Sequence, residues 1–512
     1  MKRPLVLCII DGFGASDIKI GNAVQMAQKP TLDFITANYP HTLLQASGEA
    51  VGLDFGEAGN SEVGHMNIGA GRIVKHYSTI INAAIKDGSF NTNPAISGAI
   101  EHAKANTGTL HLAGLLTAGS VHAYFNHLIA LIALAKANAP LPVYLHLFTD
   151  GKDSGLYECV DLLKRLEPYL ADAPNVKLAT MIGRDWAMDR NKRWDHTHVA
   201  YNLITDGQGE ETDAFATTLG VYHQREINDM RLPALVAREL PKPLMKDGDA
   251  LIFFNFREDS MRQIARSFTE PQFNEFPVKN WQKLYVCGFT PYIENPNLHI
   301  AFGPYPVKNN LAEYLSASDK KQFHIAESEK YAHVTLFFNG LADQPYAGEN
   351  DQFIQSHEVT GEQSAMKAAE IAQAICGEID KGETDFIVLN FANADMLSHL
   401  GNLEKVVAGI GAVDSALGQI YQKIKEKNGI LVITSDHGNA ESLVYTATGE
   451  RETKHNNNPV PIYLVAEEYF QKNKLPTGIS GMLGDVAPTI LELMGLPIPP
   501  EMTGQSLLRL LQ

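Results

Sequence analysis

Short apolar runs recur along this chain with stretches of helical spacing between them, and that alternation constrains the fold more than any other feature. The runs are Leu5–Ile10, Thr109–Leu116, Val143–Phe148, Lys177–Ile182, Ala250–Phe254, Lys283–Cys287, Phe386–Leu389, Ile430–Thr434 and Pro461–Val465. Each is brief and bounded by Gly, Pro, Asp or Asn, the mark of strands buried by helices on both faces. Helical patterns such as Val121–Ala137 and Leu403–Lys427 fall between them, so βα units and largely parallel sheets are expected. The fold class read from this pattern is α/β.

The residues just after these runs are chemically loaded. Leu5–Ile10 ends at Asp11, Leu116 leads to His122, and Phe148 leads to Asp150 and Asp153. Ile182 precedes Gly183-Arg184, Phe254 precedes Asn255-Phe256-Arg257, Leu389 precedes Asn390 to Asp395, and Thr434 precedes Ser435-Asp436-His437-Gly438. Open parallel sheets bind ligands at the carboxyl ends of their strands, so polar residues repeatedly placed there read as a site. Asp and Gly also end strands for conformational reasons alone, and no single ending carries the argument. Together they do.

Composition narrows the class of ligand. Lys and Arg number 42 against 59 Asp and Glu, a net charge of −17, and no basic tail offsets that field. Nucleic acid is therefore not an expected partner, and any anionic ligand needs a local arginine cluster or metal ions. The four cysteines, Cys8, Cys159, Cys287 and Cys376, are scattered singly, which fits a reducing compartment and excludes a zinc knuckle or C-x-x-C redox motif. The apolar run after Met1-Lys2-Arg3-Pro4 is cut by Asp11-Gly12-Phe13-Gly14, so no signal peptide is read, and no stretch has the length of a membrane span. A soluble, cytoplasmic protein without a membrane partner is expected.

The organisation suggests one unit built from both ends of the chain. A segment rich in Pro, Asn and Gly from Thr290 to Asn310 looks like a joint, and a second joint is read near Arg72–Ser78. The candidate metal ligands fall outside these joints, whereas the middle block contributes arginines and His122. The expected division is 1–75 with 310–512, and an inserted 76–309.

Asp395 and His399 stand four apart, on one face if helical, and Asp436-His437 adds a second carboxylate and imidazole at a strand end, with His455 beyond. Mixed Asp and His sets suit manganese or zinc. An Asp–His pair at that spacing is most often an ordinary helix contact. Joined by Asp11 and Asp436-His437, it supplies enough ligands for two metals. Gly59-Asn60-Ser61-Glu62-Val63-Gly64-His65 sets a serine between glycines at a loop-to-helix transition. An N-cap is the plain reading of Ser61; the functional one is a metal-activated nucleophile facing a phosphate at a helix N-terminus. Arg184, Arg190, Arg193, Arg257, Arg262 and Lys330 form the basic inventory, and arginine forks match phosphate and carboxylate oxygens. The residues alone point to a two-metal enzyme of phosphoryl transfer or phosphate-ester cleavage.

The strings Asp11-Gly12-Phe13-Gly14, Gly59 to His65, Gly183-Arg184 through Met188-Asp189-Arg190, Asn255-Phe256-Arg257, Glu329 to Thr335, Asn393 to Met396, Asp436 to Glu441 and His455 to Pro459 resemble, in order, the cofactor-independent phosphoglycerate mutases. The resemblance implies an alkaline phosphatase-like domain with a largely parallel sheet and an inserted α/β transferase domain. It implies that Asp11, Ser61, Asp436 and His437 hold one metal, and Asp395, His399 and His455 the other, with manganese the usual ion. Ser61 would carry the phosphoryl group of 3-phosphoglycerate and return it to the other hydroxyl of the retained glycerate, with Lys330 stabilising phosphoryl charge and no bisphosphoglycerate needed. His122, Asp153, Arg184, Arg190 and Arg257 match positions that hold the substrate. A small phosphorylated substrate and a monomeric chain are expected.

Departures from the family pattern gather among the substrate residues. Lys152 stands where an arginine is usual, in Gly151-Lys152-Asp153, and is taken as substrate-binding in its place. Glu258-Asp259-Ser260 replaces Pro-Asp-Arg, so Ser260 takes another arginine's position and Arg262 is the candidate to compensate. Thr117-Ala118-Gly119-Ser120 stands for serine-aspartate-glycine-glycine. These changes motivate an alternative, a two-metal phosphomutase or phosphatase acting on another phosphorylated hydroxy acid or sugar.

Overall fold

A computed structural model describes residues 3–303, 307–356, 363–446, 448–472 and 474–511. The chain divides into two compact units, Met1–His76 with Pro306–Gln512, and Tyr77–Tyr305. The strands are β1 (Leu5–Ile10), β2 (His41–Gln45), β3 (Leu110–Leu116), β4 (Val143–Thr149), β5 (Val176–Gly183), β6 (Glu210–Thr212), β7 (Leu235–Ala237), β8 (Ala250–Phe253), β9 (Tyr285–Gly288), β10 (Leu298–Ile300), β11 (Gln322–Glu327), β12 (Glu349–Ile354), β13 (Phe386–Phe391), β14 (Ile430–Thr434), β15 (Val460–Val465) and β16 (Ile479–Met482).

The first unit holds an eight-stranded sheet in the order β12-β11-β13-β1-β14-β15-β2-β16. β1 lies at its centre, parallel to β13 and to β14, with Leu5 level with both Phe386 and Ile430. Its six residues are all buried, as a strand covered on both faces must be. β15 runs antiparallel to both neighbours, and β16 pairs parallel with β2. The long helix Leu403–Glu426 covers one face; Asn402 caps it, accepting from the Lys405 amide, and Val406, Ile410, Val413, Leu417, Ile420 and Ile424 form its buried stripe. Asp414 on the same stripe is buried, and its carboxylate accepts from the Thr31 and Leu32 amides at 3.0 and 2.8 Å. It thereby caps the helix Pro30–Asn38 from outside, satisfying donors that a helix start leaves open.

The second unit has its own eight-stranded sheet, ordered β10-β9-β8-β3-β4-β5-β7-β6. All neighbours are parallel except β5 and β7. A chain of polar side chains crosses this apolar sheet: His111 Nδ1 lies 2.9 Å from His146 Nε2, and His146 Nδ1 lies 2.9 Å from Thr180 Oγ1. Each unit has a separate apolar core, with helices on both faces of the first sheet giving two layers. Among the described residues no helix is long and apolar enough to cross a membrane.

Candidate active site

In the first unit the reactive residues converge where parallel strands end. Asp11 follows β1, Lys330 follows β11, Asp395 lies in the helix Asn393–Ser398 after β13, and Asp436-His437 follows β14. Ser61 opens the helix Ser61–Ala70, whose N-cap is Asn60; the Asn60 side chain accepts from the Val63 amide at 3.0 Å. Asn60 therefore takes the capping role, and the Ser61 hydroxyl is free for other partners.

Those partners surround one oxygen. Ser61 Oγ donates to Asp11 Oδ1 at 3.1 Å and lies 3.0 Å from His437 Nε2. Lys330 Nζ donates to Ser61 Oγ, Asp11 Oδ1 and Asp395 Oδ2, each at 2.7 Å. Burial alone would lower the Lys330 ammonium, but Asp11 and Asp395 raise it well above the usual lysine range. Burial likewise works to raise the Asp11 carboxyl, and Lys330 and His437 overcome it, holding Asp11 far below the usual carboxylate range. A charged lysine thus sits against ionised carboxylates in a buried setting.

Two sets of donors flank this centre. In one, His399 Nδ1 meets the Thr453 carbonyl at 2.9 Å and His455 Nδ1 meets the Gly59 carbonyl at 3.0 Å. A carbonyl can only accept, so both rings carry a proton on Nδ1 and turn Nε2 inward. The two Nε2 atoms lie 3.3 and 3.2 Å from Asp395 Oδ1 and 3.2 Å from each other. In the other set Asp436 Oδ2 is buried without a hydrogen bond, with His65 Nδ1 3.2 Å away and His437 Nε2 3.7 Å away. Converging imidazole lone pairs beside carboxylate oxygens, and a buried carboxylate oxygen left without a donor, fit divalent cations. Asp395, His399 and His455 are the candidates for one ion. Asp11, His65 and Asp436 converge as a second group and Asp11, Asp395 and His437 as a third, so the expected set of Asp11, Ser61, Asp436 and His437 is divided between them, with His65 added beside Asp436.

Several supporting residues escaped the sequence reading. His65 is four residues after Ser61 on the same helix, and its Nδ1 lies 2.9 Å from the Ser61 carbonyl. Asn390, at the end of β13, donates to Asp11 Oδ2 at 2.7 Å and reaches His65 Nε2 at 3.0 Å. Asn439 donates to Asp395 Oδ1 at 2.8 Å. The i,i+4 spacing was a usable signal for His65; nothing in the sequence marked the two asparagines beyond their places after strands. Gly12 has φ +68°, a left-handed conformation, and a Cβ there would lie 2.8 Å from the Asp395 Cβ. That close approach lets its amide donate to Asp436 Oδ1 at 3.1 Å.

The second unit gathers a separate polar cluster, also at strand ends. Asp150, after β4, accepts from the amides of Lys152, Asp153 and Ser154 at 3.2, 3.1 and 2.8 Å and from Thr117 Oγ1 at 2.6 Å. Arg184, after β5, pairs with Asp150 and, at 2.9 Å, with Asp153. His122 Nε2 lies 3.8 Å from Asp153 Oδ2. Asp259 pairs with Arg190 and, at 3.3 Å, with Arg257. Burial, with Arg184 and Arg257 adding to it, brings His122 down to about 3, so its ring is neutral near pH 7. The Lys152 and Arg262 side chains are exposed, and among the described residues neither makes a hydrogen bond or ion pair with this cluster.

The description "Metalloenzyme superfamily" matches residues 3–498 of this chain. A 2,3-bisphosphoglycerate-independent phosphoglycerate mutase of Clostridium botulinum is 43% identical over 99% of this chain and 100% of its own length. The chain belongs to that family. A second member, 2,3-bisphosphoglycerate-independent phosphoglycerate mutase 1 of Methanosarcina barkeri, is 42% identical over 99% of this chain and 98% of its own. The crystal structure of Leishmania mexicana phosphoglycerate mutase at low cobalt concentration superposes with a TM-score of 0.79 at 26% identity, covering 100% of this chain and 98% of that one.

Proposed function

We propose that the chain interconverts 3-phosphoglycerate and 2-phosphoglycerate through a phosphoserine on Ser61, without a bisphosphoglycerate cofactor. The observation that carries this is Ser61 Oγ, held 2.7 Å from the Lys330 ammonium between two sets of metal donors. Full-length relatedness to named mutases supports the substrate. In the forward half-reaction Ser61 Oγ attacks the phosphorus of 3-phosphoglycerate, forming the Oγ–P bond as the bond to the C3 oxygen breaks, and the proton lost from the serine hydroxyl ends, net, on the departing C3 oxygen. The retained glycerate then takes the phosphoryl group back on its C2 oxygen, restoring the serine. Divalent ions, manganese by family habit, would lower the pKa of the Ser61 hydroxyl and offset phosphoryl charge. Lys330 stabilises the serine alkoxide and the transferring oxygens. Asp395, His399 and His455, and Asp11, Asp436 and His437, are the ligands proposed for the two ions.

The second cluster is assigned the glycerate. Arg184, Arg190 and Arg257 present guanidinium groups, oriented by Asp150, Asp153 and Asp259, to the carboxylate and hydroxyls. His122 and Asp153 add neutral and anionic partners for the hydroxyls, and exposed Lys152 and Arg262 supply long-range positive charge. The enzyme is read as a cytoplasmic monomer. Brief incubation with 3-phosphoglycerate, acid quench and peptide mass spectrometry tests the intermediate. A phosphoryl group on the peptide containing Ser61 is expected; turnover with that peptide never modified would contradict it.

A further inference from the structure

Ser260 is 2% exposed, and its backbone amide donates to Asp259 Oδ1 at 2.7 Å. Its hydroxyl lies 3.0 Å from His122 Nδ1 and 3.5 Å from the Arg257 carbonyl. A hydroxyl has one proton to give, and the carbonyl is at the outer limit of contact, so the geometry favours the imidazole. The other ring nitrogen decides the direction. His122 Nε2 faces Asp153 Oδ2 at 3.8 Å, and that oxygen already accepts from Arg184 at 2.9 Å. A lone pair on Nε2 would point at a carboxylate, whereas an N–H there is attracted to it. A neutral imidazole carries only one N–H, so Nδ1 is left as an acceptor. Ser260 is the donor that such an acceptor needs.

We infer that Ser260 is a positioning residue: its hydroxyl donates to His122 Nδ1 and holds the ring as the Nε2–H tautomer, presenting an uncharged donor beside Asp153. Arg184, Arg190 and Arg257 lie close enough to oppose an imidazolium, with Asp259 favouring one. The ring therefore offers direction rather than charge. A ligand oxygen that meets it must act as an acceptor, as a hydroxyl or carboxylate oxygen of a hydroxy acid can. The serine thereby makes the neighbouring histidine a fixed donor. This role rests on the second cluster holding the glycerate, as proposed above.

Nitrogen-15 NMR of the full-length, histidine-labelled chain tests it, with His122→Asn identifying the signal. The wild type is expected to show His122 with a protonated Nε2 and a bare Nδ1. Ser260→Ala should shift that signal toward a mixture of tautomers and raise KM for 3-phosphoglycerate about 3- to 10-fold, with a smaller change in kcat, as for loss of one neutral hydrogen bond. Ser260→Thr, which keeps the hydroxyl, should restore the wild-type tautomer. Protonation on Nδ1 in the wild type overturns the inference whether or not any variant folds, and so does a tautomer indifferent to Ser260→Ala. Absence of mutase turnover in the wild type would instead count against the proposed reaction and leave the tautomer measurement standing.

Discussion

At the level of single residues, one hydroxyl and the atoms around it carry the chemistry. Ser61 Oγ has Lys330 Nζ at 2.7 Å and His437 Nε2 at 3.0 Å, and its side chain is not needed as a cap because Asn60 fills that role. Ser61→Ala should therefore lower kcat by at least about 10³-fold, as removal of a nucleophile does, with little change in far-UV circular dichroism. Mutase turnover within tenfold of wild type would contradict the role given to Ser61. His399 reaches Asp395 from a ring fixed by the Thr453 carbonyl at 2.9 Å. His399→Ala should reduce metal content and rate together; elemental analysis of the purified variant showing full occupancy would remove His399 from the ligand set.

At the scale of elements, the helix Ser61–Ala70 owes its position to the absence of a side chain. A Cβ on Gly64 would lie 2.4 Å from the Asp436 carbonyl oxygen and 2.7 Å from the Asp436 Cβ. Gly64→Ala must push the helix away from the end of β14, with a cost of about 1–3 kcal/mol typical of overpacking. Activity should fall well beyond that stability loss, because Ser61 and Asp436 move apart; a fully active Gly64→Ala enzyme would show that the close approach is not required. Much of this frame was legible in the sequence. The runs Leu5–Ile10 and Ile430–Thr434 match β1 and β14 residue for residue, and Val143–Phe148 falls one residue short of β4, because strands covered on both faces are written as unbroken apolar letters. The apolar runs do not include β2, β6, β7, β10, β11, β12 or β16. β11 is wholly buried yet contains Gln322, His324 and Glu327, and β12, at the sheet edge, reads Glu-Asn-Asp-Gln-Phe-Ile. Hydrogen bonding to neighbours, rather than local pattern, makes these strands. Asp11, Asp436 and His437 were legible as candidates because they follow strands closely, and His399 because it stands four residues after Asp395. Asn390 and Asn439 were not, because their value lies in which carboxylate they reach.

At the scale of the whole molecule the two units can be followed separately, because Trp186, Trp194 and Trp281, the three tryptophans, all lie in Tyr77–Tyr305. Burial brings His122 and His127 down to about 3 from an ordinary value of 6.5, with Arg184 and Arg257 adding to the effect at His122. Between those values the unfolded chain binds protons that the folded unit refuses, so stability falls as pH drops below about 6.5. The urea midpoint read by tryptophan fluorescence should be lower at pH 5.5 than at pH 7.5, and equal midpoints would contradict the neutral histidines. The proposed reaction can be observed directly. Phosphorus NMR of the manganese-loaded full-length chain with 3-phosphoglycerate, and no bisphosphoglycerate, tests it most directly. Conversion to 2-phosphoglycerate by the wild type, absent with Ser61→Ala, is the predicted result; free phosphate alone, or an unchanged substrate signal, would contradict it.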